Sequence, residues 1–293
     1  YTRLIARKIR ELNVYCEIVN YDYYPDSWEN IKGIVLSGGP SSVYGENAPV
    51  ADKKIFHSSV PILAICYGIH LITKEFGGII ERGKIREYGS ATIEVDNNSA
   101  LYNDLDTKQQ VWMSHSDVII KEPENFIISG KSENNIIASF ENIQKKIYGV
   151  QYHPEVNHTL YGDKILSNFL YNICCCHGDW KMGDFILEQI DKIQRETNGG
   201  KVILAISGGV DSTVAAALLH KAIGNRLSCF FIDNGLLRKS EALRVKQAYQ
   251  RMGDIQIEYI DESDLFLKRL NGISEPEEKR KIIGHTFIEV FEK

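Results

Sequence analysis

Cys66 stands at the seam of Val60-Pro-Ile-Leu-Ala-Ile-Cys66-Tyr-Gly68, where an apolar run gives way to helical spacing. A thiol is mostly protonated near neutral pH, and its thiolate is the attacking form. A strand-to-helix elbow exposes the sulfur and sets it at a helix N-terminus, whose unpaired N–H groups favour an anion. The Gly-x-Ser-x-Gly nucleophile elbow uses this geometry with oxygen; here Ala64 and Gly68 are the small flanking residues. Alone, Cys66 reads more readily as a buried packing residue than as a nucleophile. A base changes that reading, and Tyr148-Gly-Val-Gln-Tyr-His153-Pro-Glu155 supplies one. Its strand delivers His153 at the C-terminal end, and Pro154 keeps His153 out of a helix. In extended chain the i, i+2 spacing sets Glu155 beside the imidazole, giving nucleophile, base and orienter. A loop histidine is the plainer reading of His153 by itself. A third piece is Gly33-Ile-Val-Leu-Ser37-Gly38-Gly39-Pro40, a strand ending in glycines. Glycines let backbone amides approach a reacting carbonyl, so the amides of Gly39 and Tyr67 could form an oxyanion hole. A bare Gly-Gly-Pro is otherwise a turn.

A second constellation lies in Lys201-Val-Ile-Leu-Ala-Ile-Ser207-Gly208-Gly209-Val210-Asp211-Ser212-Thr213. A strand, a glycine loop and a helix start make a nest of amides for phosphate. This is not the Gly-x-x-x-x-Gly-Lys-Ser/Thr loop, and Asp211 stands where a cation is expected. A carboxylate beside polyphosphate makes sense when it acts through Mg²⁺. The plainer reading is a glycine turn capped by Ser212. Phe231-Ile-Asp233-Asn-Gly235 sits at the tip of the next strand, either as an ordinary β–α turn or against a nucleotide.

The elements that must position these residues follow from periodicity. Strands are expected at Tyr15–Val19, Gly33–Ser37, Pro61–Ile65, Ala91–Val95 and Lys146–Tyr152, with helices at 2–12, 67–76 and 160–173. Strands alternating with helices point to an α/β sheet with active residues at strand C-terminal edges. His177-Gly-Asp-Trp-Lys-Met-Gly183 breaks the periodicity and reads as a linker between domains at 1–176 and 184–293. The second half restarts with helix Phe185–Thr197, strand Lys201–Ile206 and helix Ser212–Ala222. Strand Leu227–Ile232, helix Ser240–Met252 and strand Ile255–Ile260 complete a β-α-β-α-β order that favours a parallel sheet. The sequence opens and closes within helical patterns, so further chain is expected outside both termini.

The 293 residues suffice for two domains, and 43% hydrophobic with 25% charged residues is a globular composition. A net charge of −5 argues against a sequence-independent nucleic-acid partner. No apolar run approaches the ~20 residues of a membrane span, and no signal peptide is visible, so no membrane partner is expected. Six unevenly placed cysteines suggest no disulfide framework; a reduced, cytoplasmic chain is expected.

Ser37-Gly-Gly-Pro40, Cys66-Tyr-Gly68 and His153-Pro-Glu155 together resemble a class I glutamine amidotransferase domain. That resemblance implies attack by Cys66 on the glutamine side-chain carbonyl, loss of ammonia and hydrolysis of a thioester, with His153 as base and Glu155 as its orienter. Trp112-Met-Ser114-His115-Ser-Asp117 resembles the segment that holds the substrate glutamine, which implies glutamine-binding roles for Ser114 and His115. Ser116 departs from the glycine often found there. The Ser207–Thr213 loop resembles that of ATP pyrophosphatases, which implies that Ser207, Gly208, Gly209, Val210, Asp211, Ser212 and Thr213 bind ATP with Mg²⁺, and that Asp233 lies near its adenosine.

Segments along nearly the whole chain are similar to glutamine-hydrolysing GMP synthases. These are Val14-Tyr-Cys-Glu17, Arg86-Glu-Tyr-Gly89, Val111–His115, His153–Val156, Val202–Leu204, Asp233–Arg238 and Lys279-Arg-Lys-Ile-Ile-Gly284. The implied fold is two consecutive α/β domains: an amidotransferase-like sheet lacking its first strand, then a parallel-sheet adenine-nucleotide α-hydrolase-like (PP-loop) domain that is truncated. The implied substrates are glutamine, ATP and XMP, and the implied complete protein is a homodimer with a further C-terminal domain. Two other classes fit part of the pattern: a silent regulatory module, or an ATP pyrophosphatase acting on another acceptor such as RNA. Intact Cys66, His153 and Glu155 argue against the first; the net charge and fused amidase argue against RNA.

Cys174-Cys-Cys-His177 invites a zinc reading, but adjacent cysteines do not easily face one ion, so packing and exposed thiols are expected and no zinc. Glu275–Lys281 reads as a solvated helix start or as a lid over ATP.

Overall fold

The computed structural model describes residues 1–292, apart from 252–254 and 256 and apart from the side chains of 84–86 and 250. Met252, at the end of the expected helix 240–252, and Gln256, within the expected strand 255–260, therefore lie outside the described residues. The chain divides into two compact units, Tyr1–Trp180 and Lys181–Lys293.

The first unit runs α1 (Thr2–Glu11), β1 (Ile34–Leu36), α2 (Lys53–Phe56), β2 (Ile62–Ile65), α3 (Tyr67–Glu75), β3 (Ile79–Val95), β4 (Lys108–Lys121), β5 (Ile127–Ser132), β6 (Ile137–Asn142), β7 (Ile147–Val150) and α4 (Gly162–Ser167). Its sheet has seven strands in the order β1-β2-β7-β6-β5-β3-β4. Only β1, β2 and β7 are mutually parallel; the other pairings are antiparallel. The sheet is thus mixed, and its three parallel strands end together on one edge, just before Ser37, Cys66 and Gln151. β2 explains its own sequence. Leu63 and Ile65 enter one core with Tyr102, Tyr152 and Phe169, while Ile62 and Ala64 enter a second with Ile69, Ile72 and Phe140. A strand buried on both faces reads as an unbroken apolar run rather than an alternating one. Each of Ile62, Leu63 and Ile65 is fully buried, worth about 1.5–3 kcal/mol apiece.

Two expectations are corrected. Tyr15–Val19 forms no strand: Tyr15, Ile18 and Val19 stay about half exposed, and Cys16 turns inward instead, its thiol on the Ala6 carbonyl at 3.4 Å. β-propensity without a ladder partner does not make a strand. The helix expected over 160–173 is α-helical only to Ser167 and continues as a π-helix over Asn168–Ile173. Cys174 is buried at its end, Cys175 is exposed and Cys176 is partly exposed. Burial pushes the Cys174 thiol far up, which makes it a packing residue.

The second unit comprises α5 (Met182–Thr197), β8 (Val202–Ala205), α6 (Val210–Ile223), β9 (Leu227–Asp233), α7 (Glu241–Arg251), β10 (Ile257–Asp261), α8 (Ser263–Leu270) and α9 (Pro276–Phe291). Its sheet is parallel throughout, in the order β10-β9-β8, as the β-α-β-α-β pattern requires. Cys229, Phe231, Ala216 and Tyr249 form its core, with Ile190 and Ile193 of α5 packed against them. Glu275–Lys281 spans the N-cap and exposed first turns of α9, with Pro276 at the helix start and Glu277 paired to Arg280.

Candidate active site

Cys66 follows β2 directly and serves as N-cap of α3 with φ 52° and ψ −103°. A non-glycine residue held at positive φ marks strain that its surroundings must enforce. Packing on β2 and a bond from the Cys66 amide to the Val150 carbonyl (2.8 Å) hold it there. β7 ends at Val150, and the chain beyond it is pinned by the His153 amide on the Trp112 carbonyl (3.0 Å) and by Thr159 Oγ1 donating to the His153 carbonyl (2.6 Å).

The imidazole Nδ1 lies 2.8 Å from Glu155 Oε1, with His153 and Glu155 both buried. Cys66 flanks the ring as well: a Cβ placed on Gly38 would touch both His153 Cε1 and Cys66 Cβ. Burial on its own would lower the imidazole. The hydrogen bonds with Cys66 and Glu155, and the charges of both, outweigh it and raise His153 to about 9. At neutral pH the site therefore favours an imidazolium beside sulfur. The cation favours the folded state, so its stabilisation is complete below the ordinary value of 6.5 and is lost as pH climbs towards about 9. Glu155→Gln removes one source of the shift and should flatten the decline in melting temperature between pH 6.5 and 9; a wild-type slope would contradict this assignment.

Gly38 fits between the partners. A Cβ there would lie 3.0 Å from His153 Cε1 and 3.3 Å from Cys66 Cβ, whereas one at Gly39 would meet only Tyr67, no closer than 3.8 Å. The sequence assigns the glycine requirement to both; the structure concentrates it at Gly38. If glutamine is hydrolysed at Cys66, as the resemblance implies, Gly38→Ala should slow that reaction by on the order of tenfold or more, because small misplacements of reacting groups are costly. Gly39→Ala should be much milder, and equal losses in the two variants would contradict the geometry. The Gly39 and Tyr67 amides have no backbone acceptor among the described residues and lie beside the elbow.

Ser114 and His115 lie on β4. The Ser114 carbonyl accepts from the Cys66 thiol at 3.8 Å. His115 is buried and engaged elsewhere: its Nδ1 bonds the Asp117 carbonyl at 3.0 Å, and its Nε2 sits 3.3 Å from Glu87 Oε2. That last contact is not aligned as a hydrogen bond, since neither atom has such a partner among the described residues. Glu87 also accepts from Ser132 (2.7 Å) and Asn134 (2.9 Å). Burial pushes its carboxyl up, but these three partners overcome that and hold it low. A register shift between Arg82 and Glu87 sets Glu87 opposite His115 and Tyr88 opposite Ser114.

Sequence reasoning missed four neighbours of the cysteine–histidine pair. Tyr1 stacks on His153 with ring centroids 4.5 Å apart, and Thr2 bonds Ser37 at 2.9 Å. Gln151 reaches the sulfur with its amide nitrogen and meets His70 with its amide oxygen. The Gln151 position, one strand step before the His153 motif, was the available signal.

In the second unit, β8 leads into Ser207–Gly209 and then α6. Gly208 has φ +73°, and a Cβ there would lie 2.4 Å from Val245 Cγ2, so both backbone and space demand glycine. The loop is tied by Ser207 Oγ to Ser212 Oγ (3.1 Å), the Gly209 amide to Ser207 Oγ (3.3 Å) and Thr213 Oγ1 to the Gly209 carbonyl (2.8 Å). Val210 and Asp211 are exposed in the first turn of α6. Asp233 ends β9, which pairs with both β8 and β10. Its carboxylate accepts from the Gly235 amide (2.9 Å) and from the Tyr259 hydroxyl. Tyr259, stacked on Phe231, is an anchor that the sequence did not reveal. Among the described residues no three His, Cys, Asp or Glu groups converge as a metal site. A lone Asp211 suits Mg²⁺ that arrives on phosphate oxygens, since Mg²⁺ takes only one or two carboxylates in such sites.

Residues 1–173 match the family described as Glutamine amidotransferase class-I, and residues 182–261 match that described as NAD synthase. The chain belongs to the class I glutamine amidotransferase family. Over its whole length it is 49% identical to the glutamine-hydrolysing GMP synthase of Clostridium kluyveri and 51% identical to that of Caldicellulosiruptor saccharolyticus. It spans 58% of the length of each. Among solved structures, a protein from Thermoplasma acidophilum named as one subunit of a GMP synthase matches at 31% identity and TM-score 0.52, over 60% of this chain and 88% of its own. No helix among the described residues is long and apolar enough to cross a membrane.

Proposed function

We propose that this chain carries the glutamine-hydrolysing and ATP-activating parts of a GMP synthase, with the overall reaction XMP + ATP + glutamine + water → GMP + AMP + pyrophosphate + glutamate. The observation that carries the proposal is the joining of a Cys66–His153–Glu155 site and a Ser-Gly-Gly-Val-Asp-Ser loop in one chain similar along its length to two GMP synthases. Residues 1–176 form the amidotransferase part, 177–183 the linker and 184–293 the nucleotide part.

In the first part the Cys66 sulfur attacks the side-chain carbonyl of glutamine, supported on the Ser114–His115 segment. The amides of Gly39 and Tyr67 receive the oxyanion. His153, held by Glu155, gives its proton to the leaving nitrogen; ammonia departs and a thioester remains. The neutral imidazole then takes a proton from water, whose oxygen displaces sulfur and releases glutamate.

In the second part the amides of Ser207–Ser212 and the N-terminus of α6 cradle the phosphates of ATP, with Thr213 and Asp233 flanking them. Mg²⁺ carried by ATP would be held by Asp211 and would neutralise phosphate charge. Attack of the XMP carbonyl oxygen on the α-phosphate expels pyrophosphate, and ammonia displaces AMP from the adenylyl intermediate. The complete protein is proposed to act as a homodimer without nucleic acid. The deciding measurement is AMP release by the full-length protein with ATP, glutamine and a panel of acceptors. Release dependent on XMP supports this reading; release dependent on another acceptor replaces it.

A further inference from the structure

Within reach of the Cys66 sulfur lies a second polar pair, separate from His153 and Glu155. Gln151 follows β7 and is 1% exposed; His70 lies one helical turn beyond Cys66 on α3 and is 4% exposed. The Gln151 amide spans them. Its Oε1 is 2.7 Å from His70 Nε2, and its Nε2 is 4.0 Å from Cys66 Sγ, a long N–H···S contact. Two polar side chains so deeply buried must satisfy one another, and here their bonding decides what faces the sulfur. Burial lowers His70 to about 4 against the support of Gln151, with the charge of His115 adding to the fall and that of Asp117 opposing it. His70 is therefore neutral near pH 7 and carries one N–H. With that proton on Nε2, the amide oxygen accepts it and the amide NH₂ is turned to sulfur. With the proton on Nδ1, Nε2 would accept from the NH₂ group and the amide oxygen would face a thiolate.

A thiolate favours the first arrangement, because a charge-assisted N–H bond replaces a repulsion between lone pairs. The protonated thiol has a different partner, the Ser114 carbonyl at 3.8 Å. The two states of the sulfur thus see different neighbours. We infer that Gln151 is a hydrogen-bond donor to the reactive Cys66 sulfur, and that His70 is a positioning residue that fixes which end of the Gln151 amide faces it. The inference rests on Cys66 being the nucleophile and goes beyond the Cys66–His153–Glu155 set.

The test reads the sulfur directly, as the rate of iodoacetamide alkylation at Cys66 in the full-length protein, followed by peptide mass spectrometry at pH 7.5. Gln151→Met keeps length but removes the donor and should slow alkylation about tenfold, as expected for one lost charge-assisted bond at long range. His70→Leu should slow it several-fold, whereas His70→Gln, which retains an N–H donor, should restore most of the rate. In steady-state glutamine hydrolysis, kcat should fall with the alkylation rate while KM stays within about twofold, a split that a general loosening of the site would not produce. Wild-type alkylation in a folded Gln151→Met protein would overturn the inference. If Gln151→Met does not fold, equal rates for His70→Leu and His70→Gln would overturn it instead. Wild-type protein whose Cys66 resists alkylation, or Cys66→Ala protein that still hydrolyses glutamine, would fault the nucleophile assignment itself.

Discussion

Cys66→Ala is expected to abolish glutamine hydrolysis, with a fall in kcat of about 10⁵-fold or more, comparable to deleting a nucleophile from other triads. The size follows from the geometry. Of the six cysteines only Cys66 acts on His153; Cys174 is buried in the core and Cys229 lies in the other unit. No second thiol can form the thioester. The substitution also removes one of the two partners that raise His153, so any residual activity should show a shifted pH profile. If the proposed function holds, ammonium should still support XMP-dependent AMP release by full-length Cys66→Ala, because the proposed activation of the acceptor uses other residues. Glutamate release at near wild-type rate would defeat the triad, and loss of the ammonium reaction would defeat the division of labour between the two parts.

The second large effect is expected at Asp211. Its carboxylate is exposed in the first turn of α6, where it favours the helix N-terminus by only about 0.3–1 kcal/mol. Removing it should leave the fold intact. If Asp211 meets Mg²⁺ on the phosphates of ATP, Asp211→Ala should lower nucleotide affinity and cut AMP release on the order of 10²-fold with either glutamine or ammonium, while glutamine hydrolysis in the absence of ATP stays unchanged. The magnitude reflects loss of a charged ligand at a site where positioning and electrostatics supply most of the catalysis. Calorimetric titration with Mg·ATP that cannot tell the variant from wild type would remove Asp211 from the nucleotide site.

The contrast between what was legible in sequence and what was not has a physical basis. Cys66 and Ser207–Thr213 were legible because each sits where a short apolar strand turns directly into a helix, so strand, turn and helix start are neighbours in the chain. His153 and Glu155 were legible because proline and an i, i+2 spacing fix their relation locally. The parallel sheet of the second unit followed from its alternation of strands and helices for the same reason. β3 and β4 were largely missed. β3 carries Gly83, Gly89 and several charges, and it is held as a strand by its antiparallel partners rather than by its own pattern. β6 buries Ser139, Glu141 and Asn142 as completely as its apolar residues, so no periodicity marks it. Tyr15–Val19 errs the other way, with strand-forming residues and no ladder to join.

The tertiary structure alone decided which side chains surround the sulfur. Gln151 meets His70 across a separation of 81 residues, and Glu87 meets His115 through a register shift within β3 and β4. Gly38, rather than Gly39, is the position where a Cβ would be crowded, because His153 and Cys66 close on it from the chain that follows two different strands. Local sequence sets the conformation of a turn, but the identity of a buried neighbour depends on strand order and register. Those are fixed by packing and hydrogen bonding between segments far apart in the chain.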